Sequence, residues 1–338
     1  PHDQKVLATY QLPVTFDPAG PADCPMWKDF TAESIQDEGA VQDFQEFMGY
    51  CLTRYTKHER WLLLIGPRAS GKSTALKILQ RLVGLENCSN VDFGYLDDQF
   101  HKASLYGKVL NVCAEIEGAG FSTQTLKSVA SGDRITAAFK HMQPFEFEPF
   151  CKLAFAANSF PRVSDNTSGF FEKVLPIEFK VHRSPEERDP DLFSKLLLEL
   201  SGIFGWAWLG LISLRKRGHF RPATATEKAI DEYRRENNPV LEFIEECCEV
   251  DPAMAPTTSS VTKPDLYLAY ARYCRRYGYM PQAEARFARV LREVAPRVRD
   301  RRPRGPSDSR CRVWLGLRLI DPPAPPDDEA GQRWGNNR

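Results

Sequence analysis

Gly66-Pro67-Arg68-Ala69-Ser70-Gly71-Lys72-Ser73 follows an apolar run, Trp61 to Ile65, and opens a helical pattern carrying Leu76, Ile78, Leu79 and Leu82. A GxxxxGKS string between a strand and a helix leaves few choices of fold. It requires a buried strand, a tight turn whose N–H groups face an anion, and a helix whose N-terminus adds positive dipole. In that setting Lys72 reaches the β- and γ-phosphates of a nucleotide, and Ser73 offers its hydroxyl to Mg2+. The loop from Gly66 to Ser73, with Thr74 beyond it, is therefore the expected site for a nucleotide triphosphate and Mg2+.

The rest of the middle segment agrees with an α/β fold. Short apolar runs (GKVLNVCAEIEG, CKLAFAAN and KVLPIEF) alternate with crossover-sized amphipathic stretches, the pattern of a mostly parallel sheet buried on both faces. A nucleotide triphosphatase needs an acid at the end of a strand near the phosphates. Glu115 and Glu117, just after the apolar run Val109 to Cys113, fill that need: Glu115 toward the metal through water, Glu117 as a candidate base for the attacking water. Either could instead be an ordinary exposed loop acid. Asn158, ending the run Leu153 to Ala157, could hydrogen-bond the γ-phosphate or the lytic water, although Asn after a strand is commonly a turn former.

Charge divides the chain. Its formal net charge is zero, yet residues 261–320 hold fourteen Arg and one Lys against five acids, +10, leaving −10 on the remainder. A basic module on an acidic body is a common arrangement in proteins that touch nucleic acid. The expected organisation is a helical lead-in (1–58), an α/β core (59–183), a helical subdomain (184–250), a linker (251–260), a basic winged-helix module (261–320) and a polar, Pro-rich tail (321–338) expected to be disordered. In the lead-in, Ala8 to Phe16 reads as extended. In the basic module, a helix from Gln282 to Val294 presents Arg286, Arg289 and Arg292 at spacing three, with Arg297, Arg299, Arg301, Arg302 and Arg304 in the wing. That helix suits a major groove and the wing suits phosphates or a minor groove, unless the charges only solvate a surface.

The nine cysteines are scattered without CxxC spacing, which points to buried reduced thiols rather than a zinc site or a disulfide framework. The first residues lack a secretion signal, so a cytoplasmic protein is expected. No initiator Met is present, and an upstream region is left open. The run LLLELSGIFGWAWLGLISL (196–214) is barely of membrane-span length and carries Glu199 and three Gly, so a buried helix is expected and a membrane is not.

Between the acids and Asn158 lie LKSVASGDRITA (126–137) and PFEFEP (144–149). Upstream are YQLPV (10–14), CPMW (24–27) and QEFMGYCLT (45–53), and downstream ANSFP (157–161) and FFEKVLPIEF (170–179). As an ordered set these resemble superfamily 3 helicases of the phage and plasmid primase type, related to the poxvirus primase-helicase. The resemblance spans most of residues 8–250. It implies an AAA+-like ATPase, usually a hexameric ring, that translocates on single-stranded DNA and unwinds duplexes 3′ to 5′ during replication of a mobile element. A primase domain ahead of Pro1, or a separate primase, is also compatible with it. By the resemblance Lys127 is the motif's basic residue, and Arg134 to Glu148 form a hairpin in the ring channel. Lys140 and His141 near its tip can meet backbone phosphates or merely solvate a turn. Lys173 stands where the family usually has an arginine that reaches the neighbouring subunit's ATP. Arg162 or Arg183 could serve instead, or hydrolysis could be slow. Ala138 replaces a residue that is often basic.

Two other readings share part of this pattern. A P-loop kinase accounts for Gly66 to Ser73 but not for the hairpin segment or the basic module. An ATP-binding origin-recognition or ring-loading initiator, with little hydrolysis, is kept open by the absent arginine at position 173.

Overall fold

The computed structural model describes residues 10–15, 22–116, 123–163, 168–250, 260–277, 279–301 and 312–320. The chain divides between Asn237 and Asn238 into two compact units. In the first, α1 (Pro25–Ile35) and α2 (Glu38–Cys51) precede β1 (Trp61–Ile65), α3 (Lys72–Val83), β2 (Cys88–Ser89), α4 (Gln99–Ala103), β3 (Leu110–Cys113) and α5 (Gln124–Ser131). Then come β4 (Ile135–Ala137), β5 (Phe145–Phe147), β6 (Lys152–Ala157), α6 (Ser168–Phe171), β7 (Val174–Glu178), α7 (Leu192–Leu198), α8 (Leu200–Arg217) and α9 (Thr224–Glu236).

Five strands form one sheet in the order β2-β3-β6-β1-β7, and every pairing is parallel. β4 and β5 make a separate antiparallel hairpin. The alternation of β1 divides its side chains between two cores, as a strand covered on both faces requires. Leu62 and Leu64 pack with Phe44, Leu79 and Trp206, while Trp61, Leu63 and Ile65 pack with Phe155, Phe170 and Tyr233. Residues 10–15, expected to be extended, form no strand; Tyr10 ties them down by donating to the Leu52 carbonyl (3.0 Å).

The apolar run 196–214 is two helices broken at Glu199. That carboxylate leaves the run to accept from the Met26 and Trp27 amides (3.1 and 2.9 Å), capping α1, which has no side-chain cap from its own N-cap residue. The glycines serve packing: a Cβ on Gly49 of α2 would lie 2.6 Å from the Leu211 nitrogen of α8, and one on Gly210 would overlap the Gln45 backbone. Among the described residues no single helix is long and apolar enough to cross a membrane; the pair Pro185–Leu198 and Leu200–Arg217 reaches that length and apolarity only when taken together, and it is bent by 74°.

In the second unit, α10 (Pro239–Cys247), β8 (Cys248–Val250), β9 (Ser260–Thr262), α11 (Lys263–Arg276), α12 (Glu284–Val294), β10 (Arg299–Arg301), β11 (Val313–Leu315) and β12 (Leu317–Leu319) follow in order. A three-stranded sheet runs β10-β11-β9, and β12 pairs with β8. The unit begins earlier than residue 261. Val240, Phe243, Ile244 and Cys247 of α10 share a core with Leu266, Tyr270, Phe287 and Trp314, so this helix belongs here rather than with the preceding helical layer. Asn238 caps it, accepting from the Val240 amide (3.2 Å) ahead of Pro239. Residues 251–259 and 321–338, read as linker and tail, lie outside the described residues. The eight described cysteines are free, and only Cys113 is not buried.

Two outcomes follow from this packing. Gly49→Ala must push α8 away from α2, and is expected to cost about 1–3 kcal/mol in urea unfolding. His58 sits among the rings of Tyr50, Tyr55 and Phe220 (5.3, 5.8 and 5.7 Å), and burial pushes its pKa down to about 4. The unfolded chain, with an ordinary value of about 6.5, binds more protons between those values, so this stabilisation is lost as the pH falls through about 6.5 to 4. Asp43, raised by burial to about 6, gives the opposite slope. The wild type minus His58→Phe difference in unfolding free energy isolates the histidine, and is expected to shrink across that window on acidification.

Candidate functional site

The loop from Gly66 to Gly71 joins β1 to α3 at the carboxyl edge of the sheet, where open α/β sheets hold their ligands. Gly66 has φ +147°, and a Cβ there would strike the Phe179 carbonyl, so the bare backbone is what lets the loop lie against the end of β7. Gly71 gives α3 no side-chain cap, which leaves its first amides facing the loop. Lys72 curls back over the loop and is 7% exposed. Its Nζ donates to the carbonyls of Gly66 (2.6 Å) and Pro67 (2.8 Å), to Ser70 Oγ (3.2 Å) and to Asn158 Oδ1 (3.4 Å). Burial lowers the Lys72 pKa, and the charge of Glu115 opposes this.

Register brings Lys72, Asn158 and Glu115 together. Ile65 pairs with Ala157, which places Asn158 beside the loop. Cys113 pairs with Phe155, and the Ile116 amide donates to the Ala156 carbonyl (3.0 Å), which fixes exposed Glu115 one strand further along. Glu117 lies outside the described residues.

A cleft of about 420 Å³ opens over the loop, lined by Ser73, Thr74, Lys77, Phe30, Arg183 and Phe193 among others. Arg183 is built into the loop of its own chain, donating to the Ser70 carbonyl (2.9 Å) and Ser34 Oγ (3.1 Å) and lying 3.7 Å from Glu33. Its neighbour His182 donates from Nδ1 to the Arg68 carbonyl (2.7 Å). From sequence Arg183 is expected only as a substitute for Lys173 toward a neighbouring subunit, whereas here it meets its own loop; sequence does not assign His182, Phe30 and Phe193 to the site. Only the parallel pairing of β7 with β1 brings the segment after β7 to the loop.

Lys173 is at the other end of the sheet. Its carbonyl accepts from the Trp61 amide (2.9 Å) at the start of β1, so the five residues of β1, a length of roughly 16 Å, separate it from the loop. Its ammonium pairs with Glu59 and donates to Ser131 Oγ (2.8 Å), and this pairing lowers the Glu59 pKa.

Of the residues expected to meet DNA, Lys140 and His141 are exposed at the tip of the β4–β5 hairpin, and Lys127 is half-buried on α5. Ala138 is buried, its amide donating to the Gln99 carbonyl (3.0 Å), so that position points inward. On α12, Arg289 and Arg292 are exposed and Arg286 is half-buried, because Phe287 and Leu291 turn that helix into the core. Arg292 is 3.7 Å from Asp300, which also takes Lys263 (2.5 Å) and Arg312 (3.5 Å). Arg297, Arg299 and Arg301 are exposed; Arg302 and Arg304 lie outside the described residues.

Residues 64–169 match a family of unknown function (DUF5906). Residues 237–319 match the RFX DNA-binding domain, and the boundary agrees with the start of the second unit. Among solved structures, the apo structure of the NrS-1 C-terminal region is similar at a TM-score of 0.53 and 14% identity, over 90% of this chain and 79% of that one. The A form of the same region gives 0.51 and 16%, over 89% and 78%. At such identities the likeness is one of fold: a mixed α/β body with a mostly parallel sheet and many helices. The RFX match supports a winged-helix module at the C-terminal end.

Arg183→Ala removes the side-chain donor that holds the Ser70 carbonyl of the loop and the one that ties it to Ser34 of α1. Amide hydrogen exchange across residues 66–74 is expected to quicken by about tenfold, measured by mass spectrometry.

Proposed function

We propose that the chain is a superfamily 3, AAA+-like ATPase that moves on single-stranded DNA as a helicase in the replication of a mobile element. The observation that carries this is the convergence of Lys72, Asn158 and Glu115 from three neighbouring parallel strands onto one uncapped helix N-terminus. The donor set fits a nucleotide triphosphate. Among the described residues no carboxylate hydrogen-bonds Lys72; carbonyl, hydroxyl and amide oxygens hold it in place and leave its charge for an anion. Ser73 and Glu115 are the residues to hold Mg2+, which supplies charge neutralisation at the phosphates. No larger acidic cluster is needed, because Mg2+ keeps several waters and phosphate oxygens as ligands. Asn158, at the end of the strand between those that lead to Glu115 and to Lys72, would hydrogen-bond the γ-phosphate or the attacking water, and Phe30 and Phe193 offer apolar walls for the base.

Lys173 cannot serve the loop of its own chain, so its part in hydrolysis requires a second copy, as in a ring. Arg183 contacts its own loop and is a cis residue of the site. The second unit, similar to the RFX DNA-binding domain and carrying the basic excess of residues 261–320, supplies duplex contacts through Arg289 and the arginines of β10. The pairing of Lys173 with Glu59 favours one alternative, an initiator in which ATP assembles the ring and is turned over slowly.

The test is ATP turnover with and without single-stranded DNA. The motor reading expects stimulation by DNA, a loss of about 100-fold or more in Lys72→Ala, and a marked loss in Lys173→Ala that intact subunits partly restore in mixed assemblies. ATP binding with turnover indifferent to DNA supports the initiator instead.

A further inference from the structure

The β4–β5 hairpin has two unlike faces. In its register Ile135 opposes Phe147 and Ala137 opposes Phe145, so these four share one side while Arg134, Thr136, Glu146 and Glu148 share the other. On the charged side Arg134 takes up both acids, 3.2 Å from Glu148 and 3.7 Å from Glu146. The other side is a ladder of rings. Phe139 stacks on Phe145 with centroids 5.1 Å apart and planes 14° apart, and Phe145 lies 5.6 Å from Phe147 at 26°. Tyr106, from the loop before β3, stands edge-on to both at 5.4 Å.

The ladder is not closed off. Phe139 is 44% exposed and Tyr106 56%, and Met142 beside the tip is 68% exposed. At its foot a cleft of about 360 Å³ lies between Tyr106, Phe147, Phe150, Tyr10 and Arg54. The Arg54 guanidinium covers the Phe150 ring at 3.9 Å. Glu148 also borders the cleft, with its charge engaged by Arg134.

Rings left in water beside cations, with the neighbouring acids already paired, match one chemistry closely: flat apolar bases joined by phosphates. Every base offers a π-face, and stacking on exposed aromatic side chains is how proteins hold unpaired strands without reading sequence. The cleft is of nucleotide size. We propose that this face is a stacking site for the bases of single-stranded DNA. Phe139 takes one base at the hairpin tip, the Tyr106–Phe150 cleft takes another, and Lys140 and Arg54 meet the intervening phosphates. The inference deepens the helicase reading by assigning bases, and not only phosphates, to the hairpin.

The test uses the full chain without nucleotide and measures anisotropy of a fluorescent oligodeoxythymidylate against a strand of equal length and charge whose sites are abasic. The wild type is expected to bind the intact strand at least about 5-fold more tightly, the lower end of what stacking of a single base supplies. Phe139→Ala and Tyr106→Ala, both at exposed positions, are expected to lose most of that preference with abasic binding unchanged, while Phe139→Trp keeps it. Equal binding of the two strands by the wild type, or full preference in both alanine variants, overturns the site. Because ATP takes no part, a failure of DNA-stimulated turnover would sink the motor reading and leave this result standing.

Discussion

The structure of the first unit depends on β1, five apolar residues buried on both faces and paired in parallel on both sides. Such a strand can exist only between two layers, and each layer is supplied by a different part of the chain: α2, α3 and α8 on one side, the aromatic cluster around Trp61 and Phe155 on the other. Because β1 is clamped from all directions, its two ends are fixed points. One end launches the Gly66–Gly71 loop, and the other lies against Lys173.

This arrangement explains how a short site is assembled from distant sequence. Parallel pairing sends the carboxyl ends of β1, β6 and β3 to the same edge, and with them Lys72, Asn158 and Glu115. The same rule brings the segment after β7 to that edge, where Arg183 and His182 bond to loop carbonyls. The lysine held by neutral oxygens is a charge prepared in advance, at the cost of some desolvation that lowers its pKa.

Much of the site was legible because its pattern is local. The GxxxxGKS string fixes the conformation of eight neighbouring residues, and the apolar runs disclose which strands are buried on both faces. Glu199 shows the limit: inside an apolar run it reads as a defect, and only the approach of α1 makes it a cap. The arginines of α12 show it again. Spacing three puts them along one face, but the same helix must also bury Phe287 and Leu291, and so Arg286 is half-hidden while Arg292 leans on Asp300.

By itself the sequence determined the class of fold, the glycine-rich turn with its lysine between a buried strand and a helix, the acid and amide at the ends of two further strands, and the basic character of residues 261–320. Each is carried by residues close together in the chain or by a period along it. Tertiary structure alone decided that Arg183 serves its own loop, that Lys173 is remote from it and paired with Glu59, that α10 belongs to the second unit, and that the hairpin carries a ladder of rings. These depend on which strands are neighbours and which way a side chain turns once both faces of a sheet are covered, and pairing between distant segments leaves no mark on either one separately.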